Sequence, residues 1–193
     1  MEVEQQNSKS IFYPPGGILL WIVIYLELIT FGMAMIAFVY YGMQEKEIFS
    51  QSAAQLSKPI ATINTLFLLT SGFFIAKSVH SFKVNEISKT LRFMNFAMFT
   101  GLGFIILKCF EYYDKIEHGL TMGENSFYMY YWLLTAFHWI HVLVGLVILF
   151  FIKRSIKKRQ DKYPLEDFEA GAAFWHMCDL IWLLLFPILY LLF

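Results

Sequence analysis

Long apolar runs alternate with short polar stretches along the whole chain. An α-helix rises about 1.5 Å per residue, so roughly 20 consecutive apolar residues suffice to cross the hydrocarbon core of a bilayer. Five runs reach that length, at residues 18–41, 59–82, 91–113, 127–152 and 170–193. The pattern predicts an all-α fold, an integral membrane bundle of five transmembrane helices.

The polar stretches suggest the domain organisation. Residues 1–17 are polar and end in the sequence PPGG, and we expect them to form an N-terminal cytoplasmic segment. Residues 18–193 are predicted to form a single five-helix membrane domain. Within it we predict a polar connection at 42–58, further loops at 84–90 and 114–126, and a basic loop at 153–169.

Composition supports a membrane protein. Of the 193 residues, 58% are hydrophobic and 16% are charged, whereas soluble domains average nearer half apolar and a quarter charged. Cys109 and Cys178 fall in apolar runs and form no C-x-x-C motif, so we expect packing roles rather than a disulfide framework or a zinc site. We predict no nucleic-acid partner.

Lysine and arginine are distributed unequally between the two sides of the predicted bundle. Ten lie in the segments 1–17, 83–92 and 153–162, on the side of the N-terminus, and three lie in the opposite loops. Because cytoplasmic loops are enriched in these residues, the N-terminus is predicted to be cytoplasmic and the C-terminus outside.

Several polar residues fall deep inside the predicted helices. Glu27 is the only charged residue of the first run, and a carboxyl at such depth usually faces a partner inside the bundle. His141 and Asp179 lie at similar predicted depths, roughly 13 to 17 Å from the cytoplasmic end, with His138 one turn further out and His176 one turn further in. We predict that these five residues form a buried polar, proton-handling cluster. An imidazole between two carboxyls would keep at least one acid neutral or paired.

A second polar layer is predicted nearer the outer face and contains Asn64, Lys108 and Glu111. Lys108 and Glu111 are three residues apart on one helix face and can pair, and Lys108 can also reach Asn64 across the bundle. We expect Lys108→Leu to cost less than Glu111→Leu, since a lysine can extend its ammonium towards the interface. Aromatic residues near the outer ends, Tyr112 and Tyr131 among them, are predicted to form an interfacial belt.

The histidine spacing raises the question of a metal or haem. His138-x-x-His141 and His176-x-x-Asp179 have ligand-like spacing, but the repeated Glu-x-x-His motifs of di-iron bundles are absent. A bis-histidine haem between the fourth and fifth helices is a geometrically possible alternative. No motif positions a catalytic nucleophile. We therefore predict no catalytic residue, no metal and no redox cofactor in this chain.

Five motifs, in order, resemble subunit III of the haem-copper terminal oxidases. They are YLEL at 25–28, NTLFLLTSG at 64–72, GFIILKCFEY at 103–112, TAFHWIHVLVG at 135–145 and WHMCDLIWL at 175–183. The resemblance covers nearly all of the chain past Pro14. It implies the five-helix form of the family, which lacks the first two of seven helices.

The resemblance also implies a function. Family members carry no redox centre, pack against the catalytic subunit that holds haem and copper, enclose phospholipids and support proton uptake. By motif, Glu27 matches the buried carboxylate of its helix, and His138, His141, His176 and Asp179 match polar positions of the last two helices. We therefore expect a non-catalytic accessory subunit of a cytochrome c oxidase in a bacterial cell (inner) membrane. Its expected partners are the catalytic subunit, the other oxidase subunits and membrane phospholipids.

Two residues depart from the pattern of the family. Lys108 stands where oxidase members typically carry glutamine, and Trp139 stands where many carry glycine. The lysine resembles the branch associated with nitric oxide reductases, so an accessory protein of such an enzyme is an alternative. An independent proton or small-solute carrier is a second alternative, although the chain shows neither internal repeats nor paired broken helices.

Overall fold

The computed structural model describes residues 17–159 and 163–193, which form six α-helices. The helices are α1 (Gly17–Gln44), α2 (Lys46–Ala54), α3 (Lys58–Lys83), α4 (Ile87–Glu117), α5 (Ser126–Arg159) and α6 (Leu165–Tyr190). Most of the predicted cytoplasmic segment, residues 1–16, and residues 160–162 of the basic loop lie outside the described residues.

All helices except α2 are long and apolar enough to cross a membrane. The prediction of an all-α bundle with five membrane-spanning helices is therefore confirmed. Several helices run beyond the apolar segments: α4 continues to Glu117, α5 continues to Arg159, and α6 begins at Leu165. Lysine, arginine and glutamate are good helix formers, so a helix continues past the hydrocarbon core without apolar side chains.

The helix α2 lies in the stretch 42–58 and corrects the prediction of a simple polar connection there. Its side chains Phe49 and Ala53, one turn apart, are fully buried. The Phe49 ring lies 5.1 to 5.5 Å from the rings of Phe38, Phe127 and Phe193. A helix of nine residues is marginal by itself, so this aromatic contact with the bundle stabilises it.

The helices α3 and α4 pack as a close antiparallel hairpin. The hydroxyl of Ser78 donates to the carbonyl of Thr90 at 2.8 Å, and seven residues earlier Ser71 donates to the carbonyl of Ala97 at 2.7 Å. Asn85 closes the turn with a φ of 59°, a left-handed conformation that asparagine tolerates better than most residues. The small side chains let the two helices approach closely, and Asn64, a further seven residues back along α3, is fully buried.

The centre of the bundle is α6, which packs against α1, α3 and α5. Over its most apolar stretch 56% of α6 is buried, compared with 22% of α1, which lies at the edge. Trp175 of α6 is fully buried. A Cβ atom added to Gly101 of α4 or Gly145 of α5 would lie 2.8 Å from its indole ring, so glycine allows both helices to approach.

Candidate functional site

The most deeply buried charge in the described structure is the ammonium group of Lys108 on α4, whose side chain has no exposed surface. It donates to Glu111 Oε2 at 2.9 Å, to the Tyr190 hydroxyl at 2.8 Å and to the Tyr131 hydroxyl at 3.3 Å. The predicted pair of Lys108 and Glu111 is therefore present. We expected Lys108→Leu to cost less than Glu111→Leu because the lysine could extend its ammonium towards the interface. That reason is wrong, because the ammonium is held inside the bundle.

Two tyrosines complete this network. Tyr131 of α5 and Tyr190 of α6 donate their hydroxyls to Glu111 Oε1 at 2.7 and 2.6 Å. The network of these four side chains, called the lysine network below, joins α4, α5 and α6. Aromatic rings also surround the ammonium, which lies 5.2 Å from the ring centroid of Trp182. Buried cations are stabilised by such rings and by paired carboxylates.

Sequence reasoning missed the tyrosines of this network. Tyr131 was predicted to lie in an interfacial belt, but it is fully buried, as is Tyr190. A signal was present, because a buried lysine needs several acceptors and a single glutamate supplies only some of them. Which tyrosines supply the others depends on how α5 and α6 approach α4.

Glu27 and His141 form the polar contact between α1 and α5. Glu27 Oε2 lies 3.3 Å from His141 Nε2, without the alignment of a hydrogen bond. The other ring nitrogen, Nδ1, lies 2.8 Å from the carbonyl oxygen of Phe137, which can only accept. Nδ1 is therefore the donor in this contact, and Nε2 is the ring nitrogen that faces the Glu27 carboxyl.

A second carboxyl–imidazole pair lies on α6. His176 Nδ1 is 3.3 Å from Asp179 Oδ2, and this oxygen lies against Gly72 of α3, where a Cβ atom would collide with it. The prediction of one imidazole between two carboxyls is therefore wrong. Each carboxyl has its own histidine, and no hydrogen bond or ion pair joins Glu27 or His141 to Asp179 within the described ranges.

Two further predicted residues, His138 and Asn64, are buried without hydrogen-bond partners in the described part of the chain. Neither ring nitrogen of His138 has a hydrogen bond, and neither amide atom of Asn64 has one. The His138 ring stacks on Trp182 with ring centroids 5.2 Å apart and meets the ring of Phe104 edge-on. The expected contact of Lys108 with Asn64 is not formed. In the predicted outer layer, Lys108 and Glu111 are therefore fully hydrogen-bonded, whereas the amide of Asn64 has no hydrogen-bond partner.

The polar pair on α6 opens into a groove on the outside of the bundle, of about 350 Å³. Its α3 wall consists of Leu69, Gly72, Phe73 and Ala76. Its α6 wall consists of His176, Asp179, Leu180 and Leu183. We call this the α3–α6 groove.

Within residues 17–159 and 163–193 no three histidine, cysteine, aspartate or glutamate side chains gather as a metal site would require. The absence of a redox cofactor stays a prediction, to be tested by spectroscopy. The polar side chains that the structure describes form the hydrogen bonds of the lysine network and two carboxyl–imidazole contacts.

Comparison with known proteins identifies the family. A family model described as "Cytochrome c oxidase subunit III" matches residues 16–192. The chain belongs to this family. The match includes all of the helices and every candidate residue from Glu27 to Asp179.

Individual subunit III relatives agree with the family model. "Cytochrome c oxidase subunit 3" of Drosophila melanogaster is 33% identical over 132 residues, which are 68% of this chain and 49% of that protein. The protein of the same name from Bacillus sp. (strain PS3) is 25% identical over 154 residues, 79% of this chain and 74% of the relative. The chain thus spans about half the length of the insect relative and about three quarters of the bacterial one.

Proposed function

We propose that this chain is the non-redox accessory subunit III of a respiratory haem-copper terminal oxidase in a bacterial cell (inner) membrane. Such an oxidase passes electrons to oxygen and couples this reaction to proton translocation. The observation that carries the proposal is the family match over residues 16–192, which includes every membrane-spanning helix. The subunit would stabilise the catalytic subunit, hold phospholipids and support proton uptake.

The exposed surface suits contact with lipid and with a membrane-embedded partner. The outward face of α1 carries Leu19, Leu26 and Ile36, which are among its most exposed apolar side chains. An apolar face of this kind is stable only against acyl chains or another helix bundle. Phospholipids and the catalytic subunit would share this surface.

The decisive experiment is purification of the full chain in a mild detergent, with identification of the proteins and haems that accompany it. A haem-copper oxidase catalytic subunit would support the proposal. A nitric oxide reductase would favour the second candidate, which the position of Lys108 suggests. Isolation without a partner, together with solute transport in vesicles, would favour a carrier.

Proton uptake is assigned to the Glu27–His141 pair, because the carboxyl and the imidazole lie 3.3 Å apart and are partly exposed, by 23% for the Glu27 side chain and 12% for that of His141. In the purified complex, Glu27→Gln should slow proton uptake and shorten the active life of the oxidase during turnover. The matched control is Glu47→Gln, on the exposed side of α2. Equal uptake by both variants would leave Glu27 a structural residue.

The absence of a redox cofactor is tested on the isolated chain. Its optical spectrum should show no Soret band, and metal analysis should find no stoichiometric iron or copper. Haem that remains in wild type and disappears in both His138→Ala and His176→Ala would contradict the proposal and support a bis-histidine site.

The orientation of the bundle is proposed from the charge distribution, with α2 on the outer side. A cysteine replacing Ser50, an exposed residue of α2, should react with membrane-impermeant thiol reagents in intact cells. A cysteine replacing Ser155, near the end of α5, should react only after the membrane is opened. The parent chain, with Cys109 and Cys178, is the control, and the reverse pattern would invert the orientation.

A further inference from the structure

The lysine network lies close to one end of the bundle, the end that carries α2. Glu111 stands six residues before Glu117, where α4 ends, and Tyr131 stands five residues after Ser126, where α5 begins. At about 1.5 Å per residue these separations are roughly 9 and 8 Å. Water would reach a charged pair at this distance from the helix ends unless other side chains excluded it. Glu111 is nevertheless only 3% exposed, and Tyr131 has no exposed surface.

A layer of buried side chains covers the network one helical turn nearer to this end. On α5, Phe127 and Tyr128 precede Tyr131 by four and three residues, and on α4 Lys115 follows Glu111 by four. The rings of Phe127 and Tyr131 stack with centroids 6.5 Å apart and planes inclined by 12°. The Lys115 ammonium lies 5.7 Å from the centroid of the Tyr131 ring. Each of the three covering side chains is at most 2% exposed.

The helix α2 contacts this layer through an aromatic ring. The Phe49 ring meets the ring of Phe127 edge-on, with centroids 5.5 Å apart, and neither side chain has any exposed surface. The rings of Phe49, Phe127 and Tyr131 therefore form a continuous row from α2 to the lysine network. A row of closely packed rings offers water neither space nor hydrogen-bond partners, so it excludes water along this route.

Two hydrogen bonds join the end of α2 to the start of α5. The Tyr128 hydroxyl donates to Gln55 Oε1 at 3.0 Å, and the side-chain amide of Asn125 donates to Ser52 Oγ at 3.0 Å. A helix of nine residues is not stable by itself, so these bonds and the Phe49 contact keep α2 in place. Substitutions can therefore loosen α2 without removing a membrane-spanning helix.

We propose that α2 is a water seal for the lysine network, held in place by Phe49 and by its hydrogen bonds to α5. The seal keeps water, and the protons that exchange with water, away from Lys108 and Glu111. Without it, water would enter at this end and reach charged side chains inside the bundle. The proposal does not depend on the oxidase role, since it is tested on the full chain by itself.

The test measures how fast formaldehyde and a borane reductant methylate each lysine of the full chain in nanodiscs. Peptide mass spectrometry reads the individual lysines, and formaldehyde is small enough to follow water into the bundle. In wild type, Lys115 should react at least about 100-fold more slowly than the exposed Lys46, as expected for a site reached only by local opening. Phe49→Ala should accelerate Lys115 at least about tenfold, since it removes a buried ring from the seal. Lys108 should be accelerated less, because Glu111 still pairs with it.

Further variants make the result specific. Phe99→Ala removes a ring that is 73% exposed on α4 and should leave the methylation rates unchanged. The double variant Ser52→Ala with Gln55→Ala removes both hydrogen bonds and leaves the row of rings intact. It should also accelerate Lys115, by a smaller factor than Phe49→Ala, so the test holds even if Phe49→Ala fails to fold.

Three outcomes would overturn the proposal. The first is a wild-type Lys115 that reacts as fast as Lys46, which would show that water already reaches the layer. The second is a rate that neither Phe49→Ala nor the double variant changes, which would show that α5 excludes water without α2. The third is equal acceleration by Phe49→Ala and Phe99→Ala, which would indicate general loosening of the bundle rather than the opening of a seal.

Discussion

The lysine network and the α3–α6 groove each contain a carboxyl beside a basic side chain. They differ in how many of their polar atoms have hydrogen-bond partners. In the network, Lys108 and Glu111 are enclosed, and each makes three hydrogen bonds within the bundle. In the groove, Asp179 keeps one oxygen without a partner and His176 is half-exposed. A fully satisfied polar group inside a membrane protein stabilises one arrangement of helices, whereas a buried polar group without a partner costs free energy.

The difference follows from the position of each group in the bundle. Lys108 points between three helices, so α5 and α6 can each contribute a tyrosine. Asp179 points from α6 towards α3 alone, and Gly72 at that position offers space rather than a hydrogen-bond partner. We therefore expect the loss of a partner in the network, and the addition of volume at Gly72, to lower the stability of the protein.

The largest expected effect is that of Glu111→Leu, which leaves the Lys108 ammonium buried without a counter-charge. It should lower the free energy of unfolding by about 3 to 5 kcal/mol, as when one member of a buried ion pair is removed. Lys108→Leu should cost less, because Glu111 keeps two hydroxyl donors and can take up a proton. The measurement is denaturant or thermal unfolding in nanodiscs.

The double variant Lys108→Leu with Glu111→Leu should cost less than Glu111→Leu alone, since no charge is then left unpaired. Lys77→Leu is the control, because its ammonium is exposed over the Phe73 ring on the surface of α3. If Lys108→Leu proved the most damaging variant of the series, the ammonium rather than the carboxylate would hold the three helices together.

The contact of Gly72 with Asp179 is tested by Gly72→Ala, whose Cβ atom would collide with the carboxyl and push α3 and α6 apart. We expect a loss of about 1 to 3 kcal/mol in the free energy of unfolding, typical of overpacking. In the control Gly32→Ala no atom lies within 4 Å of the new Cβ. That variant should be unchanged or more stable by about 0.5 to 1 kcal/mol, as for other helical glycines. Equal behaviour of the two variants would show that the carboxyl moves aside freely.

Paired and unpaired polar groups should respond with opposite signs. Asn64→Leu removes a buried amide that has no partner and should raise the free energy of unfolding by about 1 kcal/mol. Tyr190→Phe removes a hydroxyl that is paired within the lysine network and should lower it by about the same amount. Both are measured by thermal unfolding. Destabilisation by Asn64→Leu would mean that the amide holds a water molecule or a partner from another chain.

The smallest expected effect on stability is that of Glu27→Gln. The contact with His141 is partly exposed and poorly aligned, so its loss should change the free energy of unfolding by less than about 1 kcal/mol. Unfolding of this variant is measured beside Glu47→Gln. A loss comparable with that of Glu111→Leu would make Glu27 part of the structural core and remove the basis for a role in proton uptake.

Much of the fold follows from the sequence. The five apolar runs predicted five membrane-spanning helices because the length of a run is fixed by the thickness of the membrane. The helix α2 was missed because its only signal is a pair of buried residues, Phe49 and Ala53, in an otherwise polar stretch. Such a short helix forms only on a surface that the rest of the chain provides.

For the candidate site, the sequence predicted the residues better than their partners. The pair of Lys108 and Glu111, and that of His176 and Asp179, lie three residues apart on one helix, so the helical period alone brings each pair together. The contact of Glu27 with His141 was expected only as one of several between helices. Counting residues gives depth along a helix but not the direction in which a side chain leaves it.

The sequence by itself determined the number of spans, their approximate ends, the depth of each polar residue and the pairs within one helix. All of these depend on separations along the chain, which the helix converts directly into distances. Only the tertiary structure decided that Tyr131 and Tyr190 enclose Lys108, that Glu27 and Asp179 have separate histidines, and that a groove opens beside Gly72. These features depend on the rotation and approach of neighbouring helices, which are set by packing over the whole bundle.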